Sequence, residues 1–215
     1  QVRLHNCELA PTGEIRPPKP TPGGAETLSA DYLPHRPDTT LTYDAAAVSG
    51  KTVTVIRSQH AHKADGIVET VVLKTGKLTG RDLATGTTTW GKDLNQKSKH
   101  PLHHRVKGGF VEIGQHAKGD DEVFWEPVLK VGAKAGDEWS WDAPGGVTKK
   151  YTLVKFDKHK GRPAIIVRAV LDNAGQQLVS DHIYAQGIGE VERMTSLVQG
   201  TASAVVGQIR LVEGK

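Results

Sequence analysis

The chain has 215 residues, a formal net charge of +4 and 37% hydrophobic residues, enough for one domain that buries about 70% of its unfolded surface without a metal or disulfide staple. Its single cysteine, Cys7, excludes an intramolecular disulfide and a multi-cysteine zinc site. No stretch approaches the ~20 apolar residues of a membrane-spanning helix, so a soluble or peripherally attached chain is expected.

Residues 1–30 hold Pro11, Pro17, Pro18, Pro20, Pro22, Gly23 and Gly24 with no apolar period. That composition predicts an extended Pro-rich tail, able to dock on a partner or on a second copy. The chain opens at Gln1 without an initiator methionine, as expected of an exported protein whose leader has been removed. Leu4-His5-Asn6-Cys7 lacks the small residues that a lipoprotein processing site places before its cysteine, so Cys7 reads as an ordinary tail residue.

From Asp31 to Lys215 the pattern predicts a single β domain. Thr40–Val48 and Lys51–Gln59 read as strands broken at Ser49-Gly50. In the second, Val53 and Val55 alternate with Thr52 and Thr54. Gly66–Thr75 follows, then a weak hairpin over 77–95 around Ala84-Thr85-Gly86. Val106–Gly114 reads as one strand, and Glu122–Val131 as a strand interrupted by Pro127. Glu138–Asp142, Thr148–Phe156, Pro163–Asp172, Gln177–Ala185, Gly189–Val198 and Ala202–Glu213 complete the series. Gly145-Gly146, Lys160-Gly161 and Asn173-Ala174-Gly175 supply turns that tolerate positive φ. Strands every ten to fifteen residues without helical periodicity predict an all-β fold: a curved antiparallel sheet, as a partly open barrel or a sandwich. The apolar run after Pro163 predicts a central strand, with the final strand over Ala204–Val212 pairing nearby.

Three segments carry a family resemblance. They are Asp31-Tyr-Leu-Pro34 with Leu41-Thr-Tyr43, then Gly136-Asp137-Glu-Trp139-Ser-Trp141, then Tyr184-Ala-Gln-Gly187-Ile188-Gly189-Glu-Val191. In that order they resemble the TapB-like, unknown-function class of exported bacterial β-sheet proteins, many of them lipoproteins. The resemblance spans most of 31–215 and rests on short motifs. It departs at Asp38-Thr39, and residues 92–121 read as a basic, His-rich insertion. It implies a curved antiparallel sheet and a cell-envelope or extracellular address, and it carries over no catalytic residue. The same motifs have a structural reading: Gly136-Asp137 is a turn, Trp139 and Trp141 share a face, and the two glycines bracket a sharp strand reversal.

The charge is uneven. Lys92, Lys97, Lys99, Arg105 and Lys107 stand against Asp93 alone, and Lys149, Lys150, Lys155, Lys158, Lys160 and Arg162 against Asp157. Such runs keep hairpins soluble or meet an anionic envelope surface. The expected partner contacts are therefore Pro17, Pro18 and Pro20 in the tail with Lys97, Lys99, Arg105 and Lys107. Ten histidines raise a metal hypothesis on His60, His62, His103 and His104. His60 and His62 share a strand face, taken as the outer one because their parity opposes Val53 and Val55. A site would need the clusters to converge, with a carboxylate such as Asp120 or Asp121.

No catalytic signature stands out. Ser180-Asp181-His182 are adjacent, but alternation turns Asp181 away from its neighbours. Gly187-Ile188-Gly189 lacks the strand–helix context of a nucleotide loop, the basic runs lack interleaved aromatics for nucleic acid, and Trp90, Trp125, Trp139 and Trp141 read as core fillers before a sugar platform. The expected function is a non-catalytic exported binding or structural domain, without cofactor, acting as an accessory subunit of an envelope or extracellular assembly. The alternatives are a carrier of an apolar ligand in a cavity lined by Ile165–Leu171 and Val205–Leu211, and a histidine metal-binding protein.

Overall fold

The structure is a computed structural model that describes residues 26–49, 52–78, 88–116, 122–173 and 176–214. Among the described residues thirteen antiparallel strands form one sheet: β1 (Thr40–Ser49), β2 (Thr52–His62), β3 (Ile67–Leu78), β4 (Thr89–Lys97), β5 (Leu102–Lys107), β6 (Phe110–His116), β7 (Val123–Lys130), β8 (Glu138–Ala143), β9 (Val147–His159), β10 (Arg162–Asn173), β11 (Gln176–Ala185), β12 (Gly189–Gln199) and β13 (Ala202–Gly214). The spatial order is β7-β6-β5-β3-β2-β1-β13-β12-β11-β10-β9-β8, with β4 paired to β3 off this path. First and last strands pair, Ala45 opposite Ile209, and the sheet curls into a nearly closed barrel with one seam between β7 and β8. The all-β curved sheet expected from the sequence is the observed architecture.

Side chains bridge the seam where the backbone ladder is missing. The Trp139 indole N–H of β8 donates to the Pro127 carbonyl of β7 at 2.7 Å. Behind it, Glu126 of β7 accepts from Lys149 Nζ at 2.5 Å and from the Tyr151 hydroxyl, both on β9. Pro127 does not interrupt its strand, contrary to expectation. It sits on an edge strand, where the missing N–H costs no ladder bond.

The core fills one side of the barrel. Trp139, Tyr151, Leu153, Ile165, Val167, Ala169 and Tyr184 pack there with Val111, Leu129, Leu28 and Tyr32. Registers put Trp139 opposite Tyr151 and Val167 opposite Leu153, so period-two alternation delivers one apolar set to the interior. The Trp139 and Tyr151 rings stack with centroids 5.5 Å apart, and each such buried side chain contributes about 1.5–3 kcal/mol. A second cluster of Ala46, Val53, Val55 and Leu78 lies under Trp90 of β4, on the opposite face of β2 from the barrel interior. Arg57 caps it, paired with Asp44 at 2.6 Å and lying over the Trp90 ring.

Several sequence expectations need correction. Val106–Gly114 is not one strand but parts of β5 and β6, reversed at Gly108 and Gly109, which take φ of 59° and 81°; their positive φ is a conformation glycine adopts at little steric cost. Within the stretch read as an insertion, the described residues 102–107 and 110–116 form β5 and β6, two staves of the barrel wall. The final strand pairs with β1 and β12, with β11 and β12 between it and β10. Of the 1–30 tail only 26–30 are described. There Leu28 is 1% exposed and exchanges backbone hydrogen bonds with Ala133 and Gly132 at 2.8 and 2.7 Å. Pro17, Pro18, Pro20, Cys7, Asp120, Asp121 and the turns at Ala84–Gly86 and Ala174-Gly175 lie outside the described residues.

Candidate functional site: a polar-walled lumen

The inner faces of β1–β3, β5–β7, β9 and β11–β13 leave a cavity of about 440 Å3 inside the barrel. Its apolar wall includes Leu33, Leu41, Val68, Ile113, Ile188 and Ile209. The carrier alternative expected a lumen lined by Ile165–Leu171 and Val205–Leu211. The cavity exists, but of these segments only Ile209 reaches it. Ile165, Val167 and Ala169 are buried in the solid core on the other side.

Alternation explains the cavity's polar groups. His182 is opposite Arg193 across the β11–β12 ladder, and a register shift between Ile183 and Tyr184 brings Glu190 to the same side. Glu190 receives both Arg193 Nε and Nη2, at 2.8 and 2.6 Å, and the His182 Nδ1–H at 2.7 Å. Burial alone would raise the Glu190 carboxyl, but the Arg193 guanidinium and His182 outweigh it and hold it down to about 2. The Tyr43 hydroxyl donates to the Glu190 carbonyl at 2.9 Å, and burial next to Glu190 raises the Tyr43 hydroxyl far above the ordinary tyrosine value. His182 stacks on Tyr184 with centroids 6.0 Å apart, and its Nε2 is buried without a partner. Across the lumen, Glu126 holds Lys149 and Tyr151. The wall therefore carries two compensated ion pairs in an apolar setting.

The remaining polar groups are histidines. His60, His62 and His104 line the cavity, so the outer-face assignment of His60 and His62 is reversed. Their parity does oppose that of Val53 and Val55, as expected, but the valines belong to the outer cluster under Trp90 and the histidines point into the lumen. His103 and His104 are neighbours on β5 and face opposite ways. His104 donates from Nε2 to the Leu33 carbonyl at 2.9 Å. His103 meets His116 on the other face, Nε2 to Nε2 at 3.0 Å, beside Trp125. Alternation thus splits the proposed metal set between two faces. Among the described residues no group of three or more His, Cys, Asp or Glu is arranged to hold a metal ion.

The basic residues are partly spoken for. Lys97 pairs with Glu69 and Arg105 with Glu112, and the Arg105 guanidinium lies 3.7 Å from the centre of the Trp125 ring. Lys107 is exposed at the β5–β6 turn and Lys99 in the β4–β5 loop. Asp181 points away from Ser180 and His182, as alternation predicts, and pairs with Arg168 at 2.7 Å. Ser180 bonds Thr195 at 2.9 Å.

Sequence reasoning missed His35, Tyr43, Glu126, Glu190 and Arg193. The available signal was weak: Glu190 and Arg193 are polar residues on a strand whose neighbours alternate imperfectly, and only the bulge reveals which face they take.

No family model matches the chain, and no curated protein matches it in sequence. Among solved structures, it is similar to a protein of Bacteroides fragilis inferred to be exported and described as having a YmcC-like fold. That pair has a TM-score of 0.37 and 11% identity, over 85% of this chain and 98% of the other. A protein of Parabacteroides distasonis inferred to be a lipoprotein gives a TM-score of 0.31 and 10% identity, over 86% and 98%. Likeness at this level carries no argument about role, and the TapB-like resemblance stays a resemblance of short motifs.

Proposed function

We propose that this chain is a non-catalytic binding protein whose barrel lumen holds a small amphipathic molecule. The observation that carries the reading is the cavity itself. At about 440 Å3 it falls within the range of ligand sites, with room for about 15 waters at ~30 Å3 each. Leu41, Val68, Ile113 and Ile209 offer an apolar surface, while His182 and the Arg193–Glu190 pair give the ligand's polar end a place to sit. This modifies the carrier alternative: the polar wall favours a molecule with a hydrogen-bonding head over a purely apolar one.

The internal pairing of the ionisable groups supports binding over catalysis. Glu190 is spent on Arg193 and His182, and Glu126 on Lys149 and Tyr151. Ser58 stands 3.5 Å from His60 Nε2, the far limit of a hydrogen bond. Export to the bacterial envelope, the setting expected from the sequence, belongs to the same proposal. No helix among the described residues is long and apolar enough to cross a membrane.

The test is fluorescence titration with 1-anilinonaphthalene-8-sulfonate and its displacement by dodecanol. Ala45 lines the cavity, so Ala45→Phe fills it. Saturable binding to the natural chain that falls at least tenfold in A45F supports the reading. Equal binding by the two proteins, with A45F folded by circular dichroism, refutes it.

The accessory-subunit expectation is also a proposal, favoured by the way Leu28 anchors the chain at the barrel. The preceding residues start from a fixed point, where a partner could engage Pro17, Pro18 and Pro20. Isolation from the source cells with and without residues 1–25 tests it. A partner that persists after truncation refutes docking through the tail.

A further inference from the structure

Three imidazoles from three separate segments form a stack beside the lumen. His35 lies in the stretch leading into β1, His62 ends β2 and His104 is on β5. The His35 ring lies 5.1 Å from that of His62 and 5.3 Å from that of His104, with planes inclined by 29° and 30°. Stacked rings point their nitrogens away from any common centre, an arrangement unsuited to a shared metal.

What the stack does hold is the segment 28–39. His104 Nε2–H donates to the Leu33 carbonyl at 2.9 Å and His35 Nε2–H to the Lys63 carbonyl at 2.6 Å. The same segment is tied by Leu28 to Ala133, by Gly187 N–H to the Asp31 carbonyl, and by Asp38 N–H to the His62 carbonyl. Leu33 and Pro34 from it line the cavity beside His62 and His104. It therefore runs as a strap across the lumen.

We infer that this strap is released by acid, because protonation of His62 and His104 disrupts the His35–His62–His104 stack that keeps it on the barrel. His62 Nδ1 is buried without a partner, so a proton added there finds no acceptor. Each charged ring would also stand about 5 Å from the His35 imidazole. The surrounding charged groups do not offset them. His62 feels His35, His104 and His60 from the segment, β5 and its own strand, and His104 feels His35. Lys63 turns its ammonium to Glu69. Glu190 and Arg193 act on His60 and are not among the groups that shift His62 or His104. Burial first, and then the neighbouring imidazoles, hold His62 down to about 4; burial also lowers His104, outweighing its hydrogen bond to the Leu33 carbonyl, which acts the other way. The neutral state is thus the closed state. The sign follows: a histidine lowered in the folded form favours closure above the ordinary value near 6.5, and that preference is lost as pH falls towards 4.

This inference rests on the contacts of the strap and not on what the lumen contains, so its test needs no ligand. Hydrogen exchange with mass spectrometry on the full chain at pH 7.0 and 4.5, corrected for intrinsic rates, reads the amides of 28–39 and Gly187. Protection there is expected to fall at least tenfold at pH 4.5 while β10 and β11 stay protected. His62→Phe keeps a ring in the stack and removes its titration, and should keep at least fivefold more protection than the natural chain at pH 4.5. His159→Gln, remote from the stack, should change nothing. If His62→Phe does not fold, NMR titration of the natural chain replaces it, with strap loss expected to track the midpoints of His62 and His104. Retained protection at pH 4.5, simultaneous loss in β10 and β11, equal opening in His62→Phe, or strap loss that ignores those midpoints each overturns the inference.

Discussion

Replacing Arg193 by Met tests whether the lumen's charge network holds the barrel together. Met retains much of the arginine's apolar stem but removes the two hydrogen bonds to Glu190, 2.8 and 2.6 Å long. Glu190 is left with its side chain 15% exposed and the His182 Nδ1–H as its remaining side-chain hydrogen-bond donor. Breaking a fully buried pair costs roughly 3–5 kcal/mol. The Arg193 side chain keeps 35% of its surface exposed where it lines the cavity, and solvent there reduces the loss, so about 2–3 kcal/mol is expected at pH 7. For a chain of this size that lowers Tm by roughly 5–10 °C. The assay is urea unfolding at pH 7 of the natural chain, R193M, Glu190→Gln and the double variant. Most of the R193M loss should vanish in the E190Q background, because the stranded carboxylate is what destabilises. Acid should narrow the gap. Glu190 is lowered to about 2 in the folded chain, so its contribution is present above about 4.5 and lost as pH falls towards 2. R193M within 0.5 kcal/mol of the natural chain, or strictly additive single effects, would refute the reasoning.

Trp139→Phe keeps the stack on Tyr151 but loses the bond to the Pro127 carbonyl. It should cost about 1–2 kcal/mol and raise hydrogen exchange in β7 and β8 before other strands. Gly187→Ala should cost about 1–3 kcal/mol in thermal or urea unfolding, since φ is 76°. The contact of the added Cβ with the end of the exposed Arg36 side chain, 3.1 Å away, adds little; Gly161→Ala, at φ 82° with open space around it, should cost a similar amount. Leu28→Ala should lose about 2–5 kcal/mol. Truncation of 1–25 should leave the urea midpoint unchanged, whereas truncation of 1–30 should lower it, because only the second removes Leu28.

The sequence alone determined the strand count to within two, the antiparallel class and most strand ends, because tight turns and period-two alternation are local signals. Gly145-Gly146 and Lys160-Gly161 mark reversals whatever surrounds them, and Asp181 had to turn from Ser180 and His182 on any strand. Parity also separated His60 and His62 from Val53 and Val55. Which of those two faces was the interior depended on Trp90 of β4 covering the valines and on the sheet curling around the histidines. Those contacts bring together residues far apart in the chain. The lumen was hidden for the same reason: Glu190, Arg193 and His182 meet through a bulge, Glu126 reaches Lys149 across a seam between strands that share no ladder, and His35 joins His62 and His104 only once the strap lies across the barrel. Alternation says that a side chain has two possible sides; closure of the sheet decides which of them is inside.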